Sequence, residues 1–80
     1  MVDKVDLQGW VKDYLRERGG EGSIVDVCRW VWKRHENGLR SSGDMFFTWQ
    51  YDIRWAADKL RKTGELRQAS ESPRGIWQLR

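Results

Sequence analysis

Residues 48–79 read TWQYDIRWAADKLRKTGELRQASESPRGIWQL, and two different structures meet within them. In the first half Trp49, Ile53, Ala56 and Leu60 recur at helical spacing, as a buried stripe of period 3.6 requires. The spacing predicts a helix from about Thr48 to Thr63, closed by Gly64, because glycine enters the left-handed region that ends helices. The second half changes character. Leu66–Ser70 and Gly75–Leu79 read as two short strands joined through Glu71, Ser72, Pro73 and Arg74. Ile76, Trp77 and Leu79 suit a pleated, half-buried return strand. Ser72, Pro73, Arg74 and Gly75 follow the type I turn order, with Ser first, Pro second and Gly fourth.

Upstream, two more helices are legible. The first covers about residues 4–18, with Asp3 as cap and Val2 and Leu7 at the positions of a hydrophobic staple. Leu7, Trp10, Val11, Tyr14 and Leu15 form its apolar face, and Gly19 with Gly20 stops it. The second begins after Ser23, which makes a capping box with Asp26. Ile24, Val27, Cys28, Val31 and His35 share its inner face, and Asn37-Gly38 marks its end. Trp32 borders that face. Trp30 points away from it, as a lid on the core edge or an exposed contact. Residues 39–47 read as a loop pinned by Met45, Phe46 and Phe47, although Asp44 would also serve to cap a longer third helix.

Three helices followed by a two-stranded hairpin define an α+β chain with the element order of a winged helix-turn-helix, one domain over residues 1–80. No internal repeat or low-complexity tract interrupts it.

At 80 residues the chain buries only about 60% of its unfolded surface, so large side chains must supply much of the core. The six tryptophans fit that need, since a buried one contributes roughly 150–250 Å². Cys28 is the only cysteine and His35 the only histidine, too few for a structural zinc site or an internal disulfide. Cys28 reads as a small core residue, with no basic partner at hand to activate it. Paired carboxylates, a glycine-rich phosphate loop and a nucleophile motif are all missing, so neither an enzyme, a cofactor nor a small-molecule substrate is expected. No apolar run reaches the ~20 residues of a membrane helix, and the opening residues alternate in charge, unlike a signal peptide. A cytoplasmic protein, monomer or homodimer, is the expectation.

Charge is unevenly spread. Residues 1–52 carry 8 Lys/Arg against 9 Asp/Glu, whereas residues 53–80 carry 7 against 3. The net +3 therefore comes from the last third, and a basic end of this kind attracts a polyanion.

The run from Arg54-Trp55-Ala56 to Leu60 and Gly64, followed by Ser72-Pro73-Arg74, Gly75 and Trp77, resembles the N-terminal domain of Mrr-type restriction proteins. The resemblance covers about residues 50–79; the first half matches only in its order of helices. It implies a winged helix that binds DNA, and the family's restriction activity is not carried over with it. The expected strand Leu66–Ser70 is long for that family. Winged helices that recognise left-handed nucleic acid place Asn and Tyr on the recognition helix, where this chain has Arg54 and Asp58.

Double-stranded DNA is accordingly the expected partner, with the third helix in the major groove and the wing on the adjoining minor groove or backbone. The outward face of that helix carries Tyr51, Arg54, Asp58 and Lys62, with Thr48 and Gln50 at its leading end. Arg54 is suited to guanine edges and Gln50 to adenine; alternatively Arg54 and Asp58 form a surface pair at i and i+4. Arg74, at the turn, is placed to enter a narrow minor groove or simply to stand in solvent. Arg61, Lys62 and Arg67 are candidate phosphate contacts. Trp55 either flanks the exposed face or packs under the hairpin against Trp77. Regulation of transcription or a mobile-element role would both fit. The competing expectation is a protein-interaction module without nucleic-acid binding, with Trp30 and Trp55 near the surface.

Overall fold

The computed structural model describes residues 2–80. Its elements are α1 (Asp6–Glu17), β1 (Glu21–Ser23), α2 (Ile24–Arg40), α3 (Met45–Lys62), a short 3₁₀ turn (Ala69–Glu71) and β2 (Ile76–Gln78). The chain is thus α+β, three helices and a two-stranded antiparallel sheet, a layout compatible with a winged helix.

Helix boundaries shift where side chains outvote local signals. Residues 3–5 form a turn ahead of α1, with Asp6 N–H donating to the Asp3 carbonyl at 3.0 Å. Asp3 does act as a cap, but of that turn. Its Oδ1 accepts from Val5 N–H at 3.4 Å while its own N–H donates to Asp6 Oδ2 at 2.9 Å. Leu7, Val11, Tyr14 and Leu15 are buried as the spacing requires, and Gly19 and Gly20 end the helix at φ 76° and 102°.

Ser23 caps α2 through its Oγ, which accepts from Asp26 N–H at 3.1 Å. The expected stop at Asn37-Gly38 does not hold. The helix kinks earlier, at His35 (φ −125°, ψ 21°), then resumes to Arg40. Fully buried Leu39 anchors the resumed turn in the core, and the Arg40–Glu36 pair at 2.7 Å braces it. The loop therefore shrinks to residues 41–44. Helix α3 starts at Met45, three residues before the expected Thr48, because Met45 and Phe46 pack against the core and Trp32. Phe47 is no anchor: it stands 83% exposed. Asp44 precedes α3 without a side-chain capping bond.

The expected hairpin is mostly replaced. Leu66–Ser70 does not form a strand; Leu66 makes one isolated bridge to Leu79. Residues beyond it coil into the 3₁₀ turn, held by reciprocal Gln68–Glu71 capping. The return strand β2 pairs instead with β1, in the register Glu21–Gln78, Gly22–Trp77, Ser23–Ile76. Two further backbone bonds, Arg67 N–H to the Gln78 carbonyl at 2.9 Å and Arg80 N–H to the Glu65 carbonyl at 3.1 Å, are what remains of the hairpin. The tight turn also moves by one residue. Ile76 N–H donates to the Pro73 carbonyl at 3.1 Å, and Gly75 at φ 78° takes the third position, where a type II turn needs positive φ.

One core unites the elements: α1 and α2 supply Val11, Leu15, Val27 and Val31, α3 supplies Ile53, Ala57 and Leu60, and Leu66 and Trp77 close it from the C-terminal segment. Trp77 anchors β2, but not against Trp55. Trp55 is half-buried between the ammonium groups of Lys4 and Lys59, 4.8 and 5.6 Å from its ring centre. Trp30 does not point away from the core either. It is a lid, 5.6 Å from the Tyr14 ring and 6.0 Å from His35. No helix among the described residues is long and apolar enough to cross a membrane.

Candidate nucleic-acid interface

The buried stripe Trp49, Ile53, Ala56 and Leu60 sits inward, so α3 turns the expected residues outward. Thr48, Gln50, Tyr51, Arg54, Asp58 and Lys62 are all exposed. They are not equally free. Thr48 donates its hydroxyl to Asp52 Oδ2 at 2.7 Å, and Asp52 is also faced by Lys4 Nζ at 3.8 Å. That bond occupies the hydroxyl in holding a buried carboxylate. Asp52 was not anticipated from sequence, yet its position three residues after Trp49 already places it on the buried side of the helix.

Arg54 and Asp58 do not pair. Asp58 is taken by Arg61 at 3.3 Å, and the Arg61 Nε also donates to the Arg67 carbonyl at 3.4 Å. Arg61, largely covered, is therefore a brace between α3 and the segment that follows, not a free phosphate contact. Gln68 reinforces the same junction through its bond to the Arg61 carbonyl at 3.0 Å. Among the described residues Arg54, Lys62, Arg67 and Arg74 form no ion pair, and each is exposed.

The acidic groups of this end are all engaged. Asp58 pairs with Arg61, Glu71 with Arg80 at 3.0 Å, and Glu65 with Lys12 of α1 at 2.9 Å. Hydrogen bonds from Lys12 and Thr63 hold the Glu65 carboxyl below its usual range. The basic excess in the last third is thus left uncompensated at five cations, Arg54, Lys62, Arg67, Arg74 and Lys59, the last with its ammonium facing the Trp55 ring.

Two hollows meet at Arg54. One, of about 430 Å³, lies between α3 and the Pro73–Ile76 turn; Arg54, Asp58, Arg61, Ser72, Arg74 and Trp77 are among its walls. Arg54 and Arg74, twenty positions apart in sequence, thereby share one groove. The other hollow, about 610 Å³, lies between α2 and the start of α3, lined by Cys28, Trp32, Phe46 and Trp49 with Arg29 and Arg54. Burial pushes the Cys28 thiol up, with Arg54 pulling weakly the other way, so this cysteine stays protonated near neutral pH. Beside this hollow Phe47, Tyr51 (77% exposed) and Val25 (59%) present apolar surface.

Sequence reasoning missed the partner of β2. Glu21-Gly22-Ser23 carries no β-favouring residue, and its pairing follows only from Trp77 needing cover. Comparison with known protein families, curated proteins and solved structures finds no match to this chain.

Proposed function

We propose that the chain is a winged-helix module that binds double-stranded DNA, with α3 entering the major groove and the Pro73–Ile76 turn resting on the adjoining backbone or minor groove. The observation that carries this reading is the shared groove of Arg54 and Arg74, whose acidic wall residue Asp58 is occupied by Arg61. A helix and a turn that present unpaired guanidinium groups on one side match the way winged helices grip a duplex. Lys62 and Arg67 are further exposed cations without an ion pair, and Gln50 and Tyr51 offer polar groups in the first half of α3. The resemblance of residues 50–79 to the N-terminal domain of Mrr-type restriction proteins supports the same partner. No bond-making chemistry enters the proposal; the module's part is to hold a duplex.

Titration of a labelled duplex at several salt concentrations tests it. Micromolar binding at low salt is expected, weakening steeply as salt rises because counterions released from the phosphates return. Absence of binding at low salt, or affinity indifferent to salt, refutes the reading. A protein-interaction module is favoured by one observation, the exposed edge of Phe47, Tyr51 and Val25 beside the apolar hollow. Amide shift mapping separates the two: duplex-induced shifts clustered at residues 50–62 and 73–75 support DNA, and their absence favours a protein partner.

A further inference from the structure

Arg54 and Arg74 line one groove and neither forms an ion pair, so the groove carries positive charge that an anion would offset. In this groove the only carboxylate in the wall, Asp58, is already paired with Arg61 at 3.3 Å. The same wall includes Ser72, whose Oγ is buried and has no hydrogen-bond partner. An orphaned buried hydroxyl costs free energy that an acceptor would recover, and a hydroxyl proton rotates to meet one. Charge favours a compact anion with several acceptor oxygens, and the Ser72 hydroxyl, closed off from solvent in the free protein, gains its acceptor when the turn shifts to admit one. The groove, at about 430 Å³, has room for a phosphate group and its ester links.

From these observations we infer that Arg54, Arg74 and Ser72 form a seat for a single phosphodiester of the duplex backbone. This rests on the DNA-binding reading and makes it more specific. Arg54 then works with the turn on the backbone and does not read a base edge, and Arg74 closes over the strand instead of entering the minor groove. Arginine is suited to the task because its planar fork offers two parallel donors to phosphate oxygens. The seat is assembled from two separate pieces of chain, α3 and the 72–74 stretch. Residue Arg54 comes from the middle of α3, Ser72 follows the 3₁₀ turn, and Arg74 sits on the tight turn whose Gly75 carbonyl accepts from Ile24 N–H of α2 at 3.1 Å. The backbone register of the sheet thus sets where the turn that carries Arg74 lies relative to the helices.

Salt dependence counts phosphates, since the slope of log K against log salt scales with the number neutralised, at about 0.9 per phosphate. The test compares Arg54→Gln, Arg74→Gln and the double variant on the same duplex, each checked for an intact amide spectrum. If both arginines hold one phosphate, each single variant weakens binding while moving the slope by well under half a unit, and the double variant lowers it by about one. Single losses of about one unit each, summing to about two, would mean separate phosphates and overturn the seat. An Arg54→Gln variant with unchanged slope but altered base preference would also overturn it, by making Arg54 a base reader. Ser72→Ala supplies an uncharged control: weaker binding at constant slope is expected, and unaltered binding removes the hydroxyl from the seat and counts against it. Inorganic phosphate, titrated against the free protein, should shift the amides of residues 72–75 in the wild type and not in the double variant; equal shifts in both overturn the seat. Failure of every variant and the wild type to bind duplex is a different result, for it refutes the DNA reading itself.

Discussion

A single missing methyl group sets how closely the sheet approaches α1. A Cβ placed on Gly22 would stand 2.6 Å from Tyr14 Cε2, inside a ring that is itself buried. Gly22→Ala is expected to cost about 1–3 kcal/mol by overpacking, read as a lower urea midpoint. Gly38→Ala meets only the tip of Val2, at 2.7 Å, and should leave the midpoint nearly unmoved because that side chain can turn away. His35 makes a second, chemical prediction. Its ring stacks on Trp10 at 3.7 Å and 4°, and burial first, then Arg34, lower its pKa from 6.5, with Asp13 opposing. The unfolded chain therefore takes up this proton before the folded one does. Stability is full above about pH 6.5 and falls as pH drops below it. His35→Phe, which keeps an aromatic ring on Trp10, should flatten the urea midpoint between about pH 7.5 and 5 relative to wild type.

At the scale of elements, stripes of apolar residues were the most reliable guide. The four inward positions of α3 and the inner faces of α1 and α2 follow directly from period, because burying such a stripe is what makes a short helix stable. One cap was readable, and by half: Ser23 binds Asp26 N–H as its position suggested, without the return bond of a capping box, while Asp3 and Asp44 make no capping bond to α1 or α3. Ser23→Ala should cost about 0.5–2 kcal/mol, measurable by thermal melting, and should fray the first turn of α2 in amide exchange. Endpoints without a matching side-chain signal were misread. Asn37-Gly38 has the composition of a stop, yet Leu39 finds a place in the core and carries the helix across it. Phe46 draws the start of α3 forward by the same means. Strand pairing was the least legible. A three-residue strand such as Glu21–Ser23 has no period to detect, and its partner lies more than fifty positions away. The outward faces, including Arg54 and Lys62, were legible as the complement of the stripe, whereas Arg61 was not separable from them, since its role as a brace depends on where residue 67 comes to lie.

For the molecule as a whole, the sheet matters more than its six residues suggest. It joins the connection between α1 and α2 to the last strand, with Trp77 set into the common core. Trp77→Ala is expected to remove about 3–5 kcal/mol from a total that for such a chain is roughly 4–12 kcal/mol. Thermal melting and duplex binding, measured on the same sample, should decline together. The reason is topological. Arg74 owes its location to a strand that docks against residues 21–23, more than fifty positions earlier, so the basic groove does not exist until residues 76–78 are free to pair. Nascent or clipped forms lacking that strand would still carry Arg54, Lys62, Arg67 and Arg74 without their arrangement, and would be attracted to nucleic acid without gripping it.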